Sequence, residues 1–207
     1  SSDLLRVDRT TSIVTEASPN NWQLQAGVYS NDSDQEFGQF AAGYAYGFGL
    51  GYDFKEFTNL KKALLRYDFL YSDIRKNSTL LNRYEFMHSL TFWIEEAKWR
   101  LVSEVFLASI EDLQVFGFYI LPSYEIINET LEIVSRYSYS TGNQNNSINP
   151  QSRYERELNT NRGEEYHSLY GGLQYFIYGD KLKVMSAIEY ANLKGADLNS
   201  WTFLLGS

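Results

Sequence analysis

The side chains best suited to acid–base or nucleophilic chemistry are two histidines, His88 and His167, each followed directly by a serine, Ser89 and Ser168. A nucleophile and its base must meet within hydrogen-bond reach, whereas adjacent residues of an extended chain point to opposite faces. Neither pair forms a catalytic couple by itself. The histidines also lack the HExxH or HxH spacing that would gather a metal, and with no cysteine there is no thiolate site and no disulfide. No metal or other cofactor is expected. Gly47, Gly49 and Gly51 make a GxGxG run. A dinucleotide loop needs a helix N-terminus to receive the pyrophosphate, but here aromatic residues alternate straight through the glycines. These glycines are expected to keep one face of a strand clear.

A second set of residues suggests transport rather than catalysis. Arg66, Arg100, Arg136 and Lys183 are interleaved with Asp68, Glu85, Glu104, Glu132 and Glu189, at positions that alternate with large apolar groups. On the wall of a narrow aqueous channel such charges would focus a field on passing ions. The structural alternative is cross-strand ion pairing that braces the wall. Acids roughly balance bases, which points to a general channel more than to one selecting phosphate.

The elements that carry these residues read as strands. From Gln39 to Tyr52, Phe40, Ala42, Tyr44, Tyr46, Phe48, Leu50 and Tyr52 share one parity, and small residues fill the other. In Leu64–Ser72, Leu65, Tyr67, Phe69 and Tyr71 oppose Arg66, Asp68 and Ser72. The same division recurs in Leu131–Ser140 and in Leu182–Ala191. This period of two marks strands with one apolar and one polar face. Further runs cover Trp22–Tyr29, Tyr84–Ile94, Lys98–Ala108, Leu113–Tyr124, Tyr166–Tyr178 and Trp201 onward, giving ten strands. Runs of roughly nine to eleven residues are long enough for a tilted strand to cross a bilayer. Short amphipathic stretches at Lys55–Arg66 and Glu95–Leu113 also admit a helical reading.

The connections alternate in length. Glu95–Ala97, Asn128–Thr130 and Gly179–Lys181 read as tight turns, and Asn31–Gly38, Asp73–Arg83 and Thr141–Glu164 as long polar loops. Short turns at one end and long loops at the other are the asymmetry of an outer-membrane barrel. Tyr and Trp fall near strand ends at Trp22, Tyr29, Tyr52, Tyr71, Tyr84, Trp93, Trp99, Tyr124, Tyr139, Tyr166, Tyr178 and Tyr190, the placement expected of interfacial girdles.

The composition agrees with this reading. The chain has 207 residues, 43% hydrophobic and 16% aromatic, with a net charge of −8. An acidic chain is a poor partner for nucleic acid, whose affinity comes from Lys and Arg. A mean hydropathy of −0.39 and the lack of a long apolar run exclude membrane helices but not membrane strands. Ser1–Arg9 contains no basic segment leading into an apolar core, so no signal peptide is expected in it. No Pro/Ser linker divides residues 1–207, which are expected to form one domain.

Several segments resemble the phosphate-selective porin O and P family. They are Leu4–Arg9 (LLRVDR) with Trp22–Tyr29 (WQLQAGVY), Gly117–Tyr124 (GFYILPSY) with Leu131–Tyr137 (LEIVSRY), and Tyr170–Lys183 (YGGLQYFIYGDKLK). The resemblance implies an antiparallel up-and-down transmembrane β-barrel in the bacterial outer membrane, sixteen-stranded and homotrimeric. It implies a passive path for small hydrophilic or anionic solutes such as phosphate, with lipid as the other partner. This chain would then be the C-terminal half, truncated at both ends, since it closes at Leu205-Gly206-Ser207 rather than on an aromatic residue. A smaller complete barrel of ten strands is the other reading of its length. Two further alternatives are a soluble β-sandwich or jelly-roll binding module, and an outer-membrane barrel hydrolase built around His88.

Overall fold

The structure, a computed structural model, describes residues 12–30, 44–73, 84–148, 161–178, 182–196 and 198–206. The alternating runs form eleven strands: β1 Ser12–Ala17, β2 Trp22–Ser30, β3 Tyr44–Asp53, β4 Lys62–Ser72, β5 Phe86–Glu96, β6 Trp99–Ile110, β7 Leu113–Ile127, β8 Leu131–Gly142, β9 Glu165–Tyr178, β10 Leu182–Lys194 and β11 Leu198–Gly206. Each pairs antiparallel with the next in sequence, giving one sheet in the order β1 to β11. The fold is therefore the all-β, up-and-down arrangement that the parity predicts. Among the described residues β1 and β11 are not paired with each other, so the sheet is not closed. It is also one sheet, not the two packed layers of a sandwich.

Three expectations need correction. β1 was not anticipated: Ser12–Ala17 sets Ile13 beside Val14 and buries none of its residues, so among the described residues it is held by the ladder to β2 and by Gln25 Nε2 donating to Glu16 Oε1 at 3.2 Å. The helical readings of Lys55–Arg66 and Glu95–Leu113 fail. Phe54–Phe57 makes a single 3₁₀ turn, closed by Asp53, whose carboxylate accepts from the backbone N–H of Lys55 at 3.0 Å and of Ala63 at 3.2 Å. The remainder belongs to β4, β5, β6 and their turn. The loop asymmetry is less regular than expected, because only Glu111 and Asp112 join β6 to β7 at the end that carries the long connections. Glu111 takes a left-handed φ of 48° without being glycine, so no turn residue announces it. The expected loops at Asn31–Gly38 and Asp73–Arg83, apart from Asp73, and the turn at Gly179–Lys181 lie outside the described residues, as do residues 39–43 of the Gln39–Tyr52 run.

The registers carry one set of side chains from strand to strand on each face. Leu24, Leu50, Tyr67, Leu90, Val105 and Phe118 follow one another across β2 to β7 on the apolar face. Ile120, Tyr137, Leu169, Tyr190 and Trp201 continue it across β7 to β11. On the opposite face lie Gln25, Gly49, Asp68, Ser89 and Glu104 in sequence of strands. Burial is inverted relative to a protein folded in water. Val105 is 45% and Leu169 59% exposed, whereas Glu104 is 7% and Ser168 1% exposed. Apolar groups normally hide and charged ones do not. A continuous exposed apolar face over most strands is far larger than a stray surface patch and suits a hydrocarbon solvent.

This gives a direct prediction for mid-strand Val105. If its face meets lipid, Val105→Arg lowers folding stability in lipid vesicles by about 2–4 kcal/mol. In water the same change on an exposed position stays within about 0.5 kcal/mol. Equilibrium unfolding in vesicles separates the two, and a neutral result would remove lipid from the outer face.

Candidate functional site

The polar face is concave, since residues from β2 through β7 line one cavity on it, and arginines there reach past an intervening strand. Neighbouring strands lie about 4.8 Å apart, so partners two strands away are beyond a short side chain but within the length of arginine. Arg136 of β8 passes Tyr170 of β9, with the guanidinium 5.6 Å from that ring, and donates to Glu189 of β10 at 3.1 Å. Arg100 of β6 reaches beyond β7 to Glu132 of β8 at 2.9 Å. Arg66 of β4 donates to Asp68 two residues on, at 2.8 and 2.9 Å, and extends over β3 to Gln25 of β2. Both motifs read from the sequence are thus present together: the charges share one face and they pair.

The glycine run explains how the Arg66 cluster lies flat. A Cβ on Gly49 would stand 2.6 Å from Asp68 Oδ1 and 2.7 Å from Arg66 Nη2. One on Gly47 would stand 2.9 Å from the Tyr29 ring, and one on Gly27 would stand 2.9 Å from the Tyr29 hydroxyl. The cleared face therefore receives an ion pair and a tyrosine rather than a nucleotide. Gly49→Ala should leave the sheet intact but lift the guanidinium, because the colliding atoms are flexible side-chain ends. Crystallography of the variant would show the Arg66–Gln25 bond lost; if it stays, the glycine has another role.

The other expected residues are placed as follows. Glu104 accepts from Ser89 Oγ at 2.5 Å and is hydrogen-bonded by the Tyr119 hydroxyl. Lys183 bonds Gln174 Oε1 at 3.3 Å, with its ammonium 5.8 Å from the Phe176 ring. Glu85 sits at the bend entering β5, its backbone tied to Ser72 and Ser109. At the rim formed by the 3₁₀ connection, Lys61 meets Glu95 at 2.5 Å, and that hydrogen-bonded carboxylate raises the Lys61 ammonium above its ordinary value. Gln25, Tyr119 and Tyr170 were not singled out from the sequence, and Ser89 and Tyr29 were noted there in other roles, as the neighbour of His88 and as a girdle residue. Parity would have found them, since each shares the face of a named charge.

The concave face is not polar throughout. Toward the end bearing the long β8–β9 connection, Phe106, Val115, Tyr166, Leu193 and Leu198 form a buried apolar cluster. Ile148 of that connection joins them and bridges to Gly163. This corrects the girdle assignment for four residues. Tyr166 is wholly buried, Tyr84 packs on the same cluster, Tyr29 lies over inner glycines, and Trp93 stacks under Lys62 with 3.5 Å from Nζ to the ring centroid. Trp22 and Tyr52, 4.7 Å apart by centroid, and Tyr190 with Trp201, 4.9 Å apart, do sit on the apolar face near strand ends. The side chain of Tyr178 lies outside the described residues.

Both histidines are on that apolar face as well. Tyr67 Oη is hydrogen-bonded to His88 Nδ1 at 2.8 Å, and Tyr137 Oη to His167 Nδ1 at 2.9 Å. Each pair lets two polar tips satisfy each other inside an apolar surface, where an unmade hydrogen bond is costly. Ser89 and Ser168 point the other way, so the sheet itself separates each histidine from its neighbouring serine. Among the described residues no cluster of His, Asp and Glu could hold a metal ion.

No family model matches the chain, and no curated protein matches it in sequence. The family resemblance rests on the segments quoted above.

Proposed function

We propose that this chain is part of the wall of an outer-membrane β-barrel porin, a passive diffusion channel for small hydrophilic solutes. The observation that supports it best is the inverted burial: one face of eleven strands exposes large apolar groups while the other covers carboxylates and serines. Lipid on the first face and water on the second account for both. By the family resemblance the complete protein is a homotrimer of larger barrels.

The charge arrangement bears on what passes. Arg66, Arg100 and Arg136 each contact a carboxylate, so their fields are largely cancelled locally. Lys183, whose hydrogen-bond partner is the uncharged Gln174, is the basic group best placed to attract phosphate. A weakly selective channel follows, with any anion preference small. The test is the reversal potential of the full-length protein in a salt gradient across planar bilayers. Arg66→Glu with Arg136→Glu, which leaves Asp68 and Glu189 opposed by like charge, should move it toward cations. An unchanged potential would place those side chains off the conduction path.

A further inference from the structure

We propose that the concave wall between β2 and β7 carries a binding subsite for an uncharged polyhydroxylated solute of sugar size. This deepens the channel reading and rests on it, because it requires that the concave face be reached by water.

The site is a cavity of about 460 Å³. That is the smaller end of the range for small-molecule pockets, so it fits a mono- or disaccharide and not a longer chain. Its polar lining is Gln25, Asp68, Ser89, Thr91, Glu104 and Tyr119. Rings of Tyr29, Trp93 and Phe106 supply flat apolar walls. Carboxylates, an amide and hydroxyls set among aromatic faces match a molecule whose edges carry hydroxyl groups and whose ring faces carry C–H groups.

Charge decides against the other small solutes. The lining contains two carboxylates, Asp68 and Glu104, and no lysine or arginine; His88 belongs to it, but its ring is turned to the apolar face. Arg66 is not part of the lining; its guanidinium is held on both oxygens of Asp68 and on Gln25. Glu104 takes its hydrogen bonds from the neutral hydroxyls of Ser89 and Tyr119, so its negative charge repels phosphate. An organic cation is disfavoured from the other side. Lys62 already occupies one face of Trp93, and Arg66 already neutralises Asp68. A neutral donor of hydroxyl hydrogens escapes both repulsions. Its acceptors in the lining are the carboxylates of Asp68 and Glu104, each able to take several hydrogen bonds, and the Trp93 ring offers its hydrocarbon C–H groups a flat face.

The experiment uses the full-length protein in two settings. In planar bilayers, glucose and maltose added in the millimolar range should reduce ion current in a saturable way. In detergent, the same sugars should change the tryptophan fluorescence, and the change should disappear in Trp93→Phe. Glu104→Gln and Asp68→Asn, each removing a charged acceptor, should raise the half-saturating sugar concentration at least about tenfold. Ser135→Ala, on the apolar face, should leave it as it is. Saturable block and fluorescence change by sugar support the subsite. A conducting channel that ignores sugar overturns it while leaving the channel reading intact. Block by phosphate or by a diamine instead of sugar overturns the solute class. Sugar-dependent fluorescence in a protein that forms no channel would keep the subsite and remove the channel.

Discussion

Gly117→Val is expected to destabilise the folded sheet severely, by at least about 3 kcal/mol. Gly117 lies on the inner face of β7, between Phe106 of β6 and Ser140 of β8. A Cβ there would meet the Phe106 ring, with Cε1 at 2.8 Å, and the carbonyl oxygen of Tyr139 at 2.7 Å. Neither can retreat cheaply. Phe106 is 2% exposed within the apolar cluster, and the carbonyl belongs to the β8 backbone. Gly171 is the matched control, since a Cβ on it meets nothing within 4 Å. Gly171→Ala should be neutral or stabilising by a few tenths of a kcal/mol through the unfolded chain. Urea unfolding in vesicles would compare the two, and a Gly117→Val protein as stable as its parent would mean Phe106 does not sit over that glycine.

Arg136→Met should cost a comparable amount, about 3 kcal/mol. Breaking a buried pair costs roughly 3–5 kcal/mol because the partner charge is stranded. The lower end applies here, as the Arg136 side chain is 25% exposed, although that of Glu189 is only 10% exposed. The arginine also leaves its Nε buried without a partner, so the pair is not fully satisfied even in the parent. Arg136→Met with Glu189→Leu should therefore recover most of the loss. A double-mutant cycle reads the coupling, and an additive result would show that the two side chains do not stabilise each other.

Much of this architecture was legible in the alternation itself. Leu65, Tyr67, Phe69 and Tyr71 against Arg66 and Asp68 gave the faces of β4, and a period of two allows no other division. The charges came through for the same reason, because every second residue must share a side. What alternation does not carry is reach. Nothing in the spacing of Arg136 and Glu189 states that they meet across Tyr170, since that depends on which strands neighbour and in what register. Aromatic placement near strand ends was similarly ambiguous: Tyr166 and Trp93 satisfy the spacing of a girdle, yet their parity turns them inward. Ala97, Glu111 and Glu129 all turn at positive φ without glycine; the turns at Ala97 and Glu129 were legible from the polar residues around them, whereas the two-residue turn Glu111–Asp112 was not, although both strands it joins were.

The central claim is that this sheet divides lipid from a water path. Conductance of the full-length protein in planar bilayers tests it most directly. Stepwise increases of current on insertion, with a reversal potential near zero in a salt gradient, are the predicted result. Protein that folds into the bilayer and yet passes no current would contradict it.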